Sequence, residues 1–284
     1  MHVSHGPSAS TLVDGPAGFV TGFSLRPDEL AHVRGLIEAQ WLDRLRRLYP
    51  TEVDGFAERG LDRYHERCAR IDHTTTWCKS ARILPAAAAG TVREMSLLRA
   101  LEDHFGAFVI SDEDRVGHEE MVWRLVRPGE PTDVGPLHAD EWFVVLADEP
   151  MPPGRRVKVW IAIACEPGRN GLTVVPGSHR RTWQYHGVWR HGRMKPELDE
   201  DVTMLDTQLV STRPGDAVVF HHDLLHGGVV NEGERMRVSL EFTMCIPSRV
   251  IHHARSDYRA RSSGPLECGS AAAAWPTSLA ALAR

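Results

Sequence analysis

The sequence predicts a mostly β protein with helices flanking its N-terminal side, folded as a double-stranded β-helix (a jelly roll of cupin type). Three observations carry this. Helical spacing is confined to the chain before Phe105, and from Phe108 short β-prone runs alternate with turn residues. Those runs have hairpin spacing with no helical stretch between them, which argues for an antiparallel arrangement of six to eight strands.

In chain order, a polar lead of about fifteen residues precedes Gly18–Leu25, a short strand. Pro27, followed by Asp28 and Glu29, opens a helix in which Leu30, Val33, Leu36, Ile37 and Trp41 recur at helical spacing, as do Leu42, Leu45 and Leu48. Further helices are expected over Val53–Ile71 and, with Pro85 just ahead, over Ala86–Phe105. These apolar stripes call for a sheet to cover them. Between them, Thr76–Arg82 is a loop whose Trp77, Lys79 and Arg82 reach toward a site.

Met121–Val126 is the next strand, then one carrying His138. Asp148–Gly154 holds three closely spaced prolines, which exclude a ladder. Arg156–Cys165 is the most apolar β-type run and is expected at the centre of the sheet. A turn at Asn170-Gly171 leads into Gly171–His179, a polar insertion runs to Asp206, and Leu209–Met244 reads as two strands joined by a turn. The Ala- and Ser-rich end, 260–284, is a frayed tail. The whole chain, 1–284, is one domain, with 16–106 mainly helical and 107–250 the jelly-roll core.

Composition narrows the function classes. Of 284 residues, 42% are apolar and 25% charged, ordinary for a globular protein, and the net charge of -5 implies no general attraction to nucleic acid or membrane. The five cysteines are odd in number and lack metal-ligand spacing, which fits reduced thiols in the cytoplasm. The N-terminus has no basic run ahead of an apolar core, so it is not a signal peptide.

The chemistry-bearing residues gather in two stretches. His138 and Asp140, two apart, share one face of a strand and can share a cation. His226 stands at a strand end, and Arg237 and Ser239 follow on one face of the next strand. Two histidines and one carboxylate with open positions make the facial triad of non-haem Fe(II) oxygenases. A second His-x-Asp, His221-His222-Asp223, would need His252 or His253 as its third ligand, and neither precedes an Arg-x-Ser on a strand. His221 and His222 are therefore expected to support the site or the core.

This arrangement resembles the phytanoyl-CoA dioxygenase family of Fe(II)/2-oxoglutarate oxygenases, over about 107–250. It rests on His138-Ala139-Asp140, the strand containing Trp160, Val175-Pro-Gly-Ser-His179, His226 and Arg237-Val238-Ser239. The resemblance implies Fe(II) held by His138, Asp140 and His226. It also implies 2-oxoglutarate with its far carboxylate on Arg237 and Ser239 beside Trp160, and O2 as oxidant. Decarboxylation would give succinate and CO2 while an unactivated carbon of a small molecule, such as a specialised-metabolite intermediate, is hydroxylated. Asp140 stands where halogenating relatives have Gly or Ala, so halogenation is not expected.

Residues 180–195, rich in arginine and tryptophan, read either as a solvated loop or as a lid meeting an anionic group on the substrate. The substrate candidates are Lys79, Arg82, Trp142, Trp183 and Arg190. Two rivals stay open at this point: a cupin-type metal dioxygenase or isomerase that does not use 2-oxoglutarate, and a non-enzymatic binding protein on the same fold.

Overall fold

Pro27 and Glu29 start the first long helix as the sequence predicts. In a computed structural model, which describes residues 13–147, 154–190 and 193–247, β1 (Phe19–Ser24) is followed by α1 (Pro27–Leu48). The Arg26 N–H donates to the Glu29 carboxylate, which also accepts from the Ser96 N–H at 2.6 Å and its hydroxyl at 2.7 Å. Glu29 thus satisfies orphan donors at two helix starts at once. The Val53–Ile71 stretch is not one helix: α2 (Val53–Arg59) ends at Gly60, with φ of 72°, and 3-10 turns follow. After the short α3 (His73–Thr76), the expected Ala86–Phe105 helix is two, α4 (Ala86–Arg93) and α5 (Ser96–Phe105). The extended backbone of Met95 (ψ 157°) separates them.

The β region contains β2 (Val109–Ile110), β3 (Val122–Val126), β4 (Arg155–Ala164), β5 (Leu172–Val174), β6 (Tyr185–Arg190), β7 (Arg193–Leu198), β8 (Gln208–Leu209), β9 (Asp216–His221), β10 (His226–Gly228) and β11 (Arg237–Ile246), with α6 (Asp140–Ala147) between β3 and β4. A six-stranded sheet runs β1-β9-β4-β11-β2, with β3 also on β11; a three-stranded sheet runs β10-β5-β8; β6 and β7 form a separate ribbon. The strand pairings within these sheets are antiparallel. Arg156–Cys165 is central as expected, flanked by β9 and β11.

Three expectations need correction. β9 and β11 are not hairpin partners, because β4 lies between them and the intervening β10 crosses to the smaller sheet. Helix α6 interrupts the β region, and the 180–195 insertion is largely the β6–β7 ribbon rather than a loop. The 148–153 loop, the 260–284 tail and His252 and His253 lie outside the described residues.

Period-two alternation decides which face of the large sheet does what. Val238, Leu240, Phe242 and Met244 of β11, with Val157, Val159, Ile161 and Ile163 of β4, pack in one cluster with Val33, Ile37, Trp41 and Leu45 of α1. The other face carries Trp160, Ala162, Val218 and Phe220, clustered with Leu172 and Val174 of the smaller sheet. On that same face the alternate residues of β11 are polar, Arg237, Ser239, Glu241 and Thr243, and all are buried.

The turn between β10 and β11 is fixed by Asn231, which is fully buried. Its amide donates to the Val126 and Arg235 carbonyls at 3.1 and 2.7 Å and accepts from Asn170 Nδ2 at 2.7 Å and the Gly233 N–H at 3.0 Å. Asn231→Ala removes these bonds and leaves the Asn170 amide buried without this acceptor. It should lower stability by about 3 kcal/mol, read from the urea midpoint; an unchanged midpoint would contradict this role.

Candidate active site

His138 and His226 face each other across one isolated antiparallel bridge. Each backbone N–H donates to the other's carbonyl, at 3.0 and 2.9 Å, and the ring centroids are 4.5 Å apart. Each Nδ1–H donates to a carbonyl two residues back, Pro136 at 2.8 Å and Leu224 at 3.0 Å. That fixes the tautomer and leaves both Nε2 lone pairs turned inward. Asp140 completes the group: its Oδ1 lies 3.8 Å from each Nε2. Asp140 is not on a strand with His138, as the spacing suggested, but is the first residue of α6. One ligand atom from each of the three lies within 4.8 Å of the others, so the trio can hold a divalent ion from one side.

The electrostatics suit that use. Burial and the neighbouring His226 push the His138 imidazole down to about 4, and burial also lowers His226, so both are neutral near pH 7. Burial resists ionisation of Asp140, but Lys158 and the histidines around it outweigh that and hold its carboxyl well below the usual range. Asp140 Oδ2 is buried without a hydrogen-bond donor.

The Val175–His179 turn places His226. Gly177, with φ of 79°, turns the chain where a Cβ would meet the Pro16 carbonyl at 3.1 Å. The buried Ser178 Oγ accepts from the Leu225 N–H at 2.8 Å, and the Val175 N–H donates to the Leu225 carbonyl at 2.9 Å. Gly227 and Gly228 then let β10 pass close to neighbouring backbone and side chains: a Cβ at Gly227 would meet the Gly135 carbonyl at 3.2 Å, and one at Gly228 the Val134 side chain at 3.0 Å.

Along the polar face of β11, Arg237 is 3% exposed and Ser239 0%. Arg237 Nε and Ser239 Oγ are both buried without a partner. Burial, with Arg124 nearby, lowers the Arg237 guanidinium to about 10. Its Cζ lies 6.0 Å from the centroid of the Trp160 ring. A buried cation with an unused donor beside an unused hydroxyl is built to receive an anion. Arg235, two residues earlier, is exposed and precedes the strand.

The remaining candidates divide. Trp142 of α6 stacks on Tyr185 of β6 at 4.4 Å and 8°, joining helix to ribbon. Trp183 is buried, donates from Nε1 to the Ser178 carbonyl at 2.9 Å, and carries Arg181 over its ring at 4.0 Å. Arg190 is exposed on the ribbon and pairs with Glu197 at 2.5 Å. Lys79 pairs with Glu120 and Asp114 at 2.8 and 3.1 Å. Arg82 donates to the carbonyls of Trp77 and Trp123 at 2.8 and 2.7 Å, so both brace the chain around β3. His222 accepts from Arg156 Nε at 3.3 Å and bonds Glu141 at 2.9 Å, steadying the start of α6. His221 lies against His179, ring centroids 5.1 Å apart, with Asp14 and Asp223 at 3.7 and 3.8 Å.

Sequence reasoning missed five charged residues here, of which Arg156, Lys158 and Glu241 are buried. Arg124 pairs with Glu241 at 2.7 Å, Arg156 with Glu113 at 2.7 Å, and Lys158 Nζ approaches Asp140 Oδ2 at 3.7 Å. Burial opposes ionisation of both carboxylates, but Lys158 and Lys79 hold Glu113 below the usual range, and Arg124 and Lys158 hold Glu241 at about 2. The signal available was a lysine inside the most apolar strand, which has no solvent face to spend it on.

Ser178→Ala should leave the Leu225 N–H buried and unpaired, a cost of about 1–3 kcal/mol. Urea unfolding checks this, and a loss under a few tenths of a kcal/mol would show that the turn does not hold Leu225 through that hydroxyl.

The family model described as Phytanoyl-CoA dioxygenase (PhyH) matches residues 30–239. The dioxygenase cdmA of Talaromyces verruculosus is 32% identical over 124 residues, 43% of this chain and 36% of that protein. The matched segment therefore spans about a third of that relative's length. Among solved structures, apo ThoJ, a non-heme monooxygenase, superposes with a TM-score of 0.50 at 13% identity, covering 81% of this chain and 75% of that one. The apo form of EctD from S. alaskensis gives 0.50 at 13% identity, covering 85% and 79%. At such identity these two likenesses concern the fold alone.

Proposed function

Because the chain belongs to the phytanoyl-CoA dioxygenase family, whose members are Fe(II)- and 2-oxoglutarate-dependent dioxygenases, we propose that it hydroxylates an unactivated carbon of a small molecule, such as a specialised-metabolite intermediate. His138, Asp140 and His226 hold the Fe(II), and Arg237 with Ser239 holds the distal carboxylate of 2-oxoglutarate beside Trp160. The observation that carries this reading is the pair of unpartnered buried donors, Arg237 Nε and Ser239 Oγ, on the sheet face that the His/Asp/His group closes over. The donor set suits the ion: two neutral imidazoles and one carboxylate leave positions open for a chelating keto acid and O2.

With the metal bound, 2-oxoglutarate and O2 supply the oxidising power: one oxygen atom enters succinate as CO2 leaves, and the other enters the C–H bond as hydroxyl. The chain's own residues bind and orient. The Nδ1–carbonyl bonds keep both imidazole lone pairs on the metal. Asp140 offsets one unit of its charge. Arg237 offers a planar guanidinium to the carboxylate, and Ser239 a hydroxyl. Trp142, Trp183 and the β6–β7 ribbon are placed to exclude water from the mouth. The chain, 1–284, acts as one oxygenase domain, the helices of 16–106 backing the large sheet. A cupin-type enzyme without 2-oxoglutarate, or a binding protein, leaves the Arg237 and Ser239 donors without a purpose. Among the described residues no helix is long and apolar enough to cross a membrane.

Three outcomes follow. His226→Ala should abolish stoichiometric iron binding, measured by metal analysis, and undiminished occupancy and turnover would reject the ligand assignment. Removing one member of a buried charge pair costs about 2–5 kcal/mol, or roughly 30- to 4,000-fold in affinity. Arg237→Ala should therefore weaken 2-oxoglutarate binding by at least tenfold while iron stays bound, and Arg235→Ala should change it a few-fold at most, titrated by the iron charge-transfer absorption. A larger loss in Arg235→Ala would move the anchor. In chloride buffer the native enzyme should give no chlorinated product, since the Asp140 carboxylate fills the halide's position; mass spectrometry of the product decides.

A further inference from the structure

Around the three proposed ligands most buried charges are hydrogen-bonded to a group of opposite sign. Arg156 bonds Glu113, whose Oε1 also accepts from Thr243 at 2.8 Å. Arg124 bonds Glu241, and Lys79 pairs with Glu120. Arg237 is matched by the distal carboxylate of the co-substrate, and Asp140 by the metal. Lys158 remains. It is 8% exposed, its ammonium makes no hydrogen bond among the described residues, and its nearest carboxylate oxygen is Asp140 Oδ2 at 3.7 Å. Once a divalent ion draws on the Asp140 charge, Lys158 is a buried cation whose three donors meet no hydrogen-bond acceptor among the described residues, with Glu113 and Glu241 acting on it only from beyond ion-pair distance, an arrangement that is costly unless a ligand supplies an acceptor.

The place of Lys158 on the sheet says which ligand. In the β4–β11 register Ser239 lies opposite Ala162, Glu241 opposite Trp160 and Thr243 opposite Lys158. Lys158 is thus four residues along the strand from the Ser239 position, about 13 Å, and on the far side from Arg237. The co-substrate lies toward Arg237 from the metal, so the space beside Lys158 belongs to the molecule being oxidised. Toward solvent the surface is apolar: Phe143, 39% exposed, stands edge-on to His138 at 5.2 Å, near the Trp142–Tyr185 stack.

We infer that Lys158 binds a single negative charge on the substrate, a carboxylate or an equivalent monoanion, with the apolar body of the substrate extending toward Phe143. This rests on the oxygenase reading above. A cationic head group would face Lys158 directly. Lys158 is a specificity residue: it selects and orients the substrate and takes no part in the oxidation.

The test uses Fe(II)·2-oxoglutarate holoenzyme under anaerobic conditions, with acetate, butyrate and benzoate set against acetamide, butyramide and benzamide. Binding is followed through changes in the charge-transfer band. At least one carboxylate should bind tenfold or more tighter than its amide with the band retained, and Lys158→Met should erase that preference while Lys158→Arg keeps it. Equal binding of acids and amides by the native holoenzyme, a preference surviving in Lys158→Met, or loss of the band as the acid displaces 2-oxoglutarate would each overturn the inference. Lack of any band with 2-oxoglutarate alone in the native protein would overturn the oxygenase reading, and this inference with it.

Discussion

Both faces of the large sheet are buried, and this constraint governs everything else in the molecule. A strand with one face on helices and the other in water can place polar residues outward at no cost. Here β11 and β4 have no outward side: helices cover one face and the smaller sheet closes over the other. Each polar residue on that inner face must then be matched. Arg124 and Arg156 are matched by Glu241 and Glu113. Arg237 Nε, Ser239 Oγ and Asp140 Oδ2 find no hydrogen-bond partner among the described residues, and it is there that the proposed ligands bind.

The helices ahead of β2 serve this arrangement rather than take part in it. Trp41 and Leu45 of α1 fill the space behind β4 and β11, giving the inner face a rigid back. Glu29 ties the starts of α1 and α5 together, and Asn231 pins the turn that delivers β11 in register. From there the path to the site is backbone geometry. The Gly177 turn and Ser178 hold Leu225, the bridge between residues 138 and 226 sets the two imidazoles face to face, and α6 presents Asp140 at its first position. Its neighbour Glu141, bonded to His222, steadies that helix start.

Much of this was legible in the residues. The sequence pointed to His138, Asp140 and His226, which the fold brings together, and alternation in Val238–Met244 gave the two faces of the strand that carries Arg237 and Ser239. Arg235, beside the turn that precedes the strand, is exposed. What was not legible came from long-range pairing. Nothing local in Val218–Phe220 says that its neighbour is β4 rather than β11, since both choices bury the same apolar residues. The Asp140 helix was hidden because Trp142, Phe143, Val144 and Val145 suit a strand as well as a helix, and tertiary packing decides between them. The partners of Arg124 and Arg156 lie 117 and 43 residues away, beyond any local pattern.

The central claim is that the His/Asp/His group and the Arg237–Ser239 pair form one site that holds metal and 2-oxoglutarate together. Thermodynamic coupling tests it most directly, because two ligands meeting in one site must raise each other's affinity by the same factor. Calorimetric titration of 2-oxoglutarate under anaerobic conditions should show binding at least tenfold tighter to the Fe(II)-loaded protein than to the metal-free protein, with Fe(II) affinity raised equally by saturating 2-oxoglutarate. Equal affinity in the presence and absence of metal would contradict the account.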